Sequence, residues 1–144
     1  METVNHYTDF CHAGKVAKDY DAVISLGHFL PAKFRESQKY LFLDFEDFDF
    51  IDLQIDPTNA KYAPNAEHIR QLVDFIRELS PTDKLLIHCM AGYSRSPAGV
   101  MIAKCERDGK TLDQAKEELY NARIPDKLTP KPNPIMIHQY LMIK

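Results

Sequence analysis

Lys84-Leu85-Leu86-Ile87-His88-Cys89-Met90-Ala91-Gly92-Tyr93-Ser94-Arg95-Ser96 is the stretch from which the architecture can be read. Lys84 to His88 is a compact apolar run of strand length. From Ser96 to Arg107 the pattern turns helical, with Pro97 near the first turn and Gly109 near the end. A cysteine and an arginine with five residues between them therefore stand on the turn from a buried strand into a helix.

That placement suits the binding of a phosphate. A loop wrapped into a semicircle aims successive backbone N–H groups at one centre, and the next helix adds the positive end of its dipole. Arg95 can grip two phosphate oxygens at once. The same positive field favours the thiolate of Cys89. A thiolate beneath a bound phosphate is placed for in-line attack on phosphorus. Met90, Ala91, Gly92, Tyr93, Ser94 and Arg95 are the expected phosphate-binding residues, with Gly92 supplying freedom where the loop turns tightly. Ser96 has two readings, a helix cap or a hydrogen bond to the sulfur. His88 reads as a brace on the strand side rather than a base.

Outward from this loop, residues 21–27 and 40–45 read as two further strands, the first closed by Gly27. A long acidic and aromatic connection follows from Glu46 to Pro64, with aspartates at 47, 49, 52 and 56. Connections of that length inside a compact domain are often functional. Ile69, Leu72, Val73, Ile76 and Leu79 recur at helical spacing over 65–79, until Ser80-Pro81 stops the pattern. Thr111-Leu112-Asp113-Gln114 has capping-box spacing and opens a helix that Pro125 ends. Residues 134–143 form another helix, apolar on most sides and so expected to pack. Strands alternating with helices predict an α/β domain with a largely parallel sheet, and no linker or repeat divides residues 1–144.

Composition narrows the function. The 144 residues are 44% hydrophobic and 27% charged, which is ordinary for a folded domain. A net charge of −3 leaves no basic surplus to hold a nucleic acid or an anionic membrane. No apolar run is long enough to span a bilayer, and the first residues have no secretion signal. Cys11, Cys89 and Cys105 are too few and odd in number for a disulfide scaffold, so a reduced, cytoplasmic setting is expected. Cys11-His12 and Cys105 match no zinc spacing, and no metal is expected. Lys104, Lys110 and Lys116 read as a charged helix surface, and His68 as a solvent-facing or capping residue.

Cys-x5-Arg alone is a weak pattern. His before it, Gly in the third intervening place and Ser after it make it specific. His88-Cys89-x-Ala91-Gly92-x-Ser94-Arg95-Ser96 resembles the signature of the cysteine-dependent dual-specificity-like protein phosphatases. The helix at 67–79, the strand before Cys89, and Pro132-Asn133 before a final helix also have counterparts in that superfamily. The resemblance covers about two-thirds of the chain, from Tyr40 onwards. It implies a central sheet flanked by helices, a phosphocysteine intermediate, no metal or other cofactor, and an aspartic general acid on a movable loop. The low-molecular-weight phosphatases carry Cys-x5-Arg near the N-terminus, so position 89 speaks against them.

Phosphoryl transfer to Cys89 needs an acid to protonate the leaving oxygen. Asp47 directly follows the strand before the long connection, where the family places its acid. Asp56, 33 residues before Cys89, has the common spacing instead; Asp44, Asp49 and Asp52 are further candidates. The expected activity is hydrolysis of phosphotyrosine in proteins, and of phosphoserine and phosphothreonine too. Cys89 would attack, Arg95 would hold the phosphoryl group, Asp47 would be the acid and then the base, and Ser96 would assist hydrolysis. The alternatives are a phosphatase for RNA 5′ ends or small phosphate esters, a phosphate-binding module without turnover, and a thiol redox enzyme of the arsenate reductase kind. The last needs a second cysteine close to Cys89. The oligomeric state is not readable from the chain.

Overall fold

A computed structural model of the chain describes residues 3–27, 37–122 and 129–144. Its organising strand is β2 (Ala22–Leu26), of which all five residues are buried. A strand is buried throughout when both faces of its sheet are covered, the usual state of parallel sheets. β2 pairs in parallel with β3 (Lys39–Leu43) and β4 (Lys84–His88), and β4 pairs in parallel with β1 (Val4–Thr8), in the order β1-β4-β2-β3. Side chains alternate across the sheet. Ile24, Leu26, Leu85 and Ile87 enter the main core, whereas Val23 and Leu86 point the other way, against Ala13 and Ala17.

The second face is covered by α1 (Phe10–Val16), capped by the Asp9 carboxylate, which accepts the His12 N–H at 2.7 Å. The main core lies under α3 (Ala66–Arg77), α4 (Arg95–Asp108), α5 (Leu112–Asn121) and α6 (Pro134–Ile143). α3 buries Ile69, Leu72, Val73 and Ile76. Each such side chain contributes roughly 1.5–3 kcal/mol, and that packing rather than propensity holds the helix. Asn65 and His68 form its capping box, and Thr111 and Gln114 form that of α5, as the spacing of the latter predicted. α4 runs through the middle of the layer with ten of its fourteen residues buried and ends on left-handed Gly109.

Three expectations need correction. The connection 46–64 is not structureless: it holds α2 (Phe50–Ile55) and a 3₁₀ turn over Pro57–Tyr62, neither of which buries a residue. Asp49 and Asp52 make a capping box there in which a carboxylate replaces the more usual Ser or Thr, so the spacing passed for a plain acidic loop. β1 and α1 carry no clear period and escaped sequence reading. Lys104 and Lys110 are not merely a solvated surface, because both pair with Glu118, at 3.1 and 2.6 Å. The stop at Pro125 lies outside the described residues. Among the described residues no helix is long and apolar enough to cross a membrane.

Candidate active site

The segment from Cys89 to Ser94 leaves the end of β4 and enters α4 at Arg95. Its two sides are anchored by backbone hydrogen bonds. The Cys89 N–H donates to Thr8 O at 3.4 Å and the Phe10 N–H to Met90 O at 3.2 Å. Across the loop, the Lys131 and Asn133 N–H groups donate to Tyr93 O and Ser94 O at 2.7 and 3.0 Å. Gly92 sits at φ 76, and a Cβ there would lie 2.7 Å from the Asp9 nitrogen. Only glycine meets both conditions at that turn.

The loop curls around the sulfur. The N–H groups of Gly92 and Ser96 donate to Cys89 Sγ at 3.3 and 3.4 Å, and Ser96 Oγ lies 3.2 Å from it. Of the two readings of Ser96, the sulfur contact is present, and the N-cap of α4 is Ser94. A cavity of about 190 Å³ opens on Cys89 and Arg95, walled by Phe10, Leu26, Met90 and Glu46. Arg95 is 7% exposed and donates from Nη1 to Phe45 O at 2.7 Å, while its buried Nε has no hydrogen-bond partner among the described residues. Gly27 leaves room for that guanidinium: at φ 133, a Cβ would stand 2.9 Å from Nη1.

Asp47 is tied to the loop rather than lining the cavity. Its Oδ1 accepts from Ser94 Oγ at 2.5 Å and from Asn133 Nδ2 at 2.9 Å. Asp56 is elsewhere, accepting the N–H and Oγ of Thr58 at 3.1 and 2.7 Å, and those bonds hold its carboxyl below the usual range. Asp49 and Asp52 are occupied in the α2 cap. Glu46, which lines the cavity, was not among the residues singled out from sequence.

His88 is 2% exposed and hydrogen-bonded through Nε2 to Ser25 Oγ, its register partner on β2. Burial pushes its imidazole down to about 4, against weaker opposing pulls from the Cys89 backbone and the Asp9 carboxylate. It is therefore neutral at pH 7. All three cysteines are free. Cys105 lies nine residues beyond Ser96 on α4, about 13 Å along the axis. That is too far for a disulfide with Cys89.

No family model and no curated protein matches the chain. Solved structures do. Tk-PTP in its active form superposes with a TM-score of 0.65 at 22% identity, over 95% of this chain and 88% of that one. The Yvh1 phosphatase domain from Chaetomium thermophilum gives 0.62 at 18%, over 94% and 87%. Human DUSP28 gives 0.60 at 18%, over 96% and 89%. The chain has the dual-specificity phosphatase fold. Within this phosphatase fold, β4, the loop and α4 lie one after another as their sequence predicted. The supports that sequence reading missed are Thr8, Ser25 and the Phe45 carbonyl, none of which has a local signature. Asn133 had one: an Asn before Pro134 marks a helix N-terminus, and its Oδ1 caps α6 by accepting the Ile135 and Met136 N–H groups at 3.0 Å.

Proposed function

We propose that the chain hydrolyses phosphomonoesters, with phosphotyrosine in proteins as the main substrate and phosphoserine and phosphothreonine as lesser ones. The observation that carries this reading is the Cys89 sulfur, met by two N–H groups and a hydroxyl at the base of a cavity beside Arg95. Donors converging on sulfur stabilise a thiolate. The buried Arg95 Nε, without a partner among the described residues, is a cost that an oxyanion at the same place would remove. Phe10 and Leu26 on the cavity wall favour an aromatic ester.

In this mechanism the Cys89 thiolate attacks phosphorus, forming an S–P bond as the ester P–O bond breaks. The loop N–H groups and Arg95 take up the charge on the equatorial oxygens. Asp47 gives its proton to the leaving oxygen. It then removes a proton from the water that displaces the sulfur, and Ser96 Oγ supports the departing thiolate. Free thiols suit a reducing compartment, in keeping with a cytoplasmic site of action.

The test is a pre-steady-state burst with an aryl phosphate, with the phosphorylated peptide containing Cys89 recovered by mass spectrometry. Cys89→Ser should bind vanadate weakly or not at all and show no turnover. Iodoacetamide should label Cys89 ahead of Cys11 and Cys105, the latter being buried with its thiol pushed up. Turnover surviving in Cys89→Ser would refute the mechanism.

A further inference from the structure

α2 buries none of its residues. Phe50 is 46% exposed, Ile51 64% and Ile55 78%. Phe50 meets the His138 ring edge-on, with centroids 5.7 Å apart, which joins α2 to α6. Leu141 and Met142 follow His138 at i+3 and i+4, share its face, and are exposed as well. Large apolar side chains gathered in this way mark an interaction surface.

The rim of this patch is acidic on the α2 side, whereas Lys144 at the end of α6 lies over the Tyr140 ring, 5.5 Å from its centroid. Asp49, Asp52 and Asp56 accept backbone N–H groups, which orients their carboxylates without neutralising them. Among the described residues none of the three forms an ion pair. From Leu41 to Ala60 the chain has six acidic and no basic residues. Lys61, next along, lies 5.0 Å over the Tyr62 ring. The patch is also near the cavity. α2 begins four residues after Glu46, a reach of at most about 14 Å, and is itself about 9 Å long.

We propose that α2 and the end of α6 dock the phosphorylated protein, taking a substrate segment that carries Lys or Arg and an apolar anchor within about seven residues of the phosphorylated one. The proposal rests on the phosphatase reading given above. A phosphate approaching this acidic rim is repelled, and cations on the substrate's own flank reverse the sign and speed the encounter. The apolar anchor covers Ile51 and Ile55.

The experiment compares the full chain with an Ile51→Ser/Ile55→Ser double variant and with Ile55→Lys. Each is assayed on an aryl phosphate, on a phosphotyrosine peptide with Arg and Leu flanks, and on the same peptide with Glu replacing Arg. Expected for the unaltered chain is a kcat/KM about tenfold higher on the Arg peptide, a difference that shrinks as salt rises. The variants should lose most of that preference through KM while hydrolysing the aryl phosphate normally. Equal kcat/KM on the two peptides, or unaltered peptide kinetics in both variants, would overturn the docking face. So would light scattering that shows a dimer dissociated by the double variant with no change in peptide kinetics, since the patch would then bind a second copy. A chain inert on the aryl phosphate would instead sink the phosphatase reading. Anisotropy with the unphosphorylated Arg-Leu peptide would then decide the docking face, supported by about tenfold weaker binding in the double variant and refuted by equal binding.

Discussion

Ser94 Oγ donates to Oδ1 of Asp47 at 2.5 Å, joining the last residue before α4 to the carboxylate that follows β3. The same Oδ1 accepts from Asn133 Nδ2. Ser94 is the N-cap of α4, yet its side chain makes no capping bond. Both bonds fall on Oδ1, so in the proposed mechanism Oδ2 would be the atom that transfers the proton.

Asp47→Asn should slow hydrolysis of phenyl phosphate by about 10²–10⁴, the usual worth of a general acid. The loss should be much smaller on an ester whose leaving group is a weak base. Asp56→Asn, which removes only a Thr58 contact, should change neither rate. Leaving-group dependence in Asp56→Asn and not in Asp47→Asn would move the acid into the α2 connection.

Asn133 is 1% exposed and joins three parts of the molecule: it caps α6, holds Asp47, and donates to Phe48 O at 2.9 Å. Asn133→Ala should lower stability by about 2 kcal/mol, combining a lost cap with unpaired buried groups. Asn133→Asp keeps the cap but turns both donated bonds into repulsion between acceptors beside Asp47, so at pH 7 it should restore the α6 cap without restoring full stability or activity. Urea titration read beside aryl phosphate turnover separates the two effects.

Gly92→Ala meets both a positive φ and the Asp9 backbone. The φ alone costs roughly 1–2 kcal/mol, and the backbone contact cannot be relieved by rotating a side chain. Turnover and vanadate affinity should fall together, with a lower Tm. An alanine variant of undiminished vanadate affinity would show that the loop need not curl as described.

The His88 imidazole is held down to about 4 by burial, against 6.5 for an unperturbed histidine. Between those values the unfolded chain binds the proton and the folded chain does not, so stability rises with pH and is lost on acidification. From pH 7 to pH 5 this amounts to about 2 kcal/mol. His88→Asn should remove that slope from the pH dependence of unfolding free energy, measured by urea titration at each pH.

Sequence alone determined the strands and helices from residue 21 onward apart from α2, the loop between β4 and α4, and the capping box of α5, because each depends on residues within a few positions of one another. Apolar period, Thr111 with Gln114, and the run from His88 to Ser96 are local signals of that kind. α2 was missed because its cap is built from two aspartates and nothing packs on it, which leaves no apolar stripe to read. Only the tertiary structure decided what surrounds Cys89. Arg95 reaches the Phe45 carbonyl across 50 positions, His88 meets Ser25 across 63, Asp47 meets Asn133 across 86, and Ser96 meets the Thr8 carbonyl across 88. Those partners are backbone carbonyls and polar side chains that no local pattern links to one another. They converge because parallel pairing brings the ends of β1, β2 and β4 to one edge of the sheet, and the buried side of α4 fixes how the loop faces them.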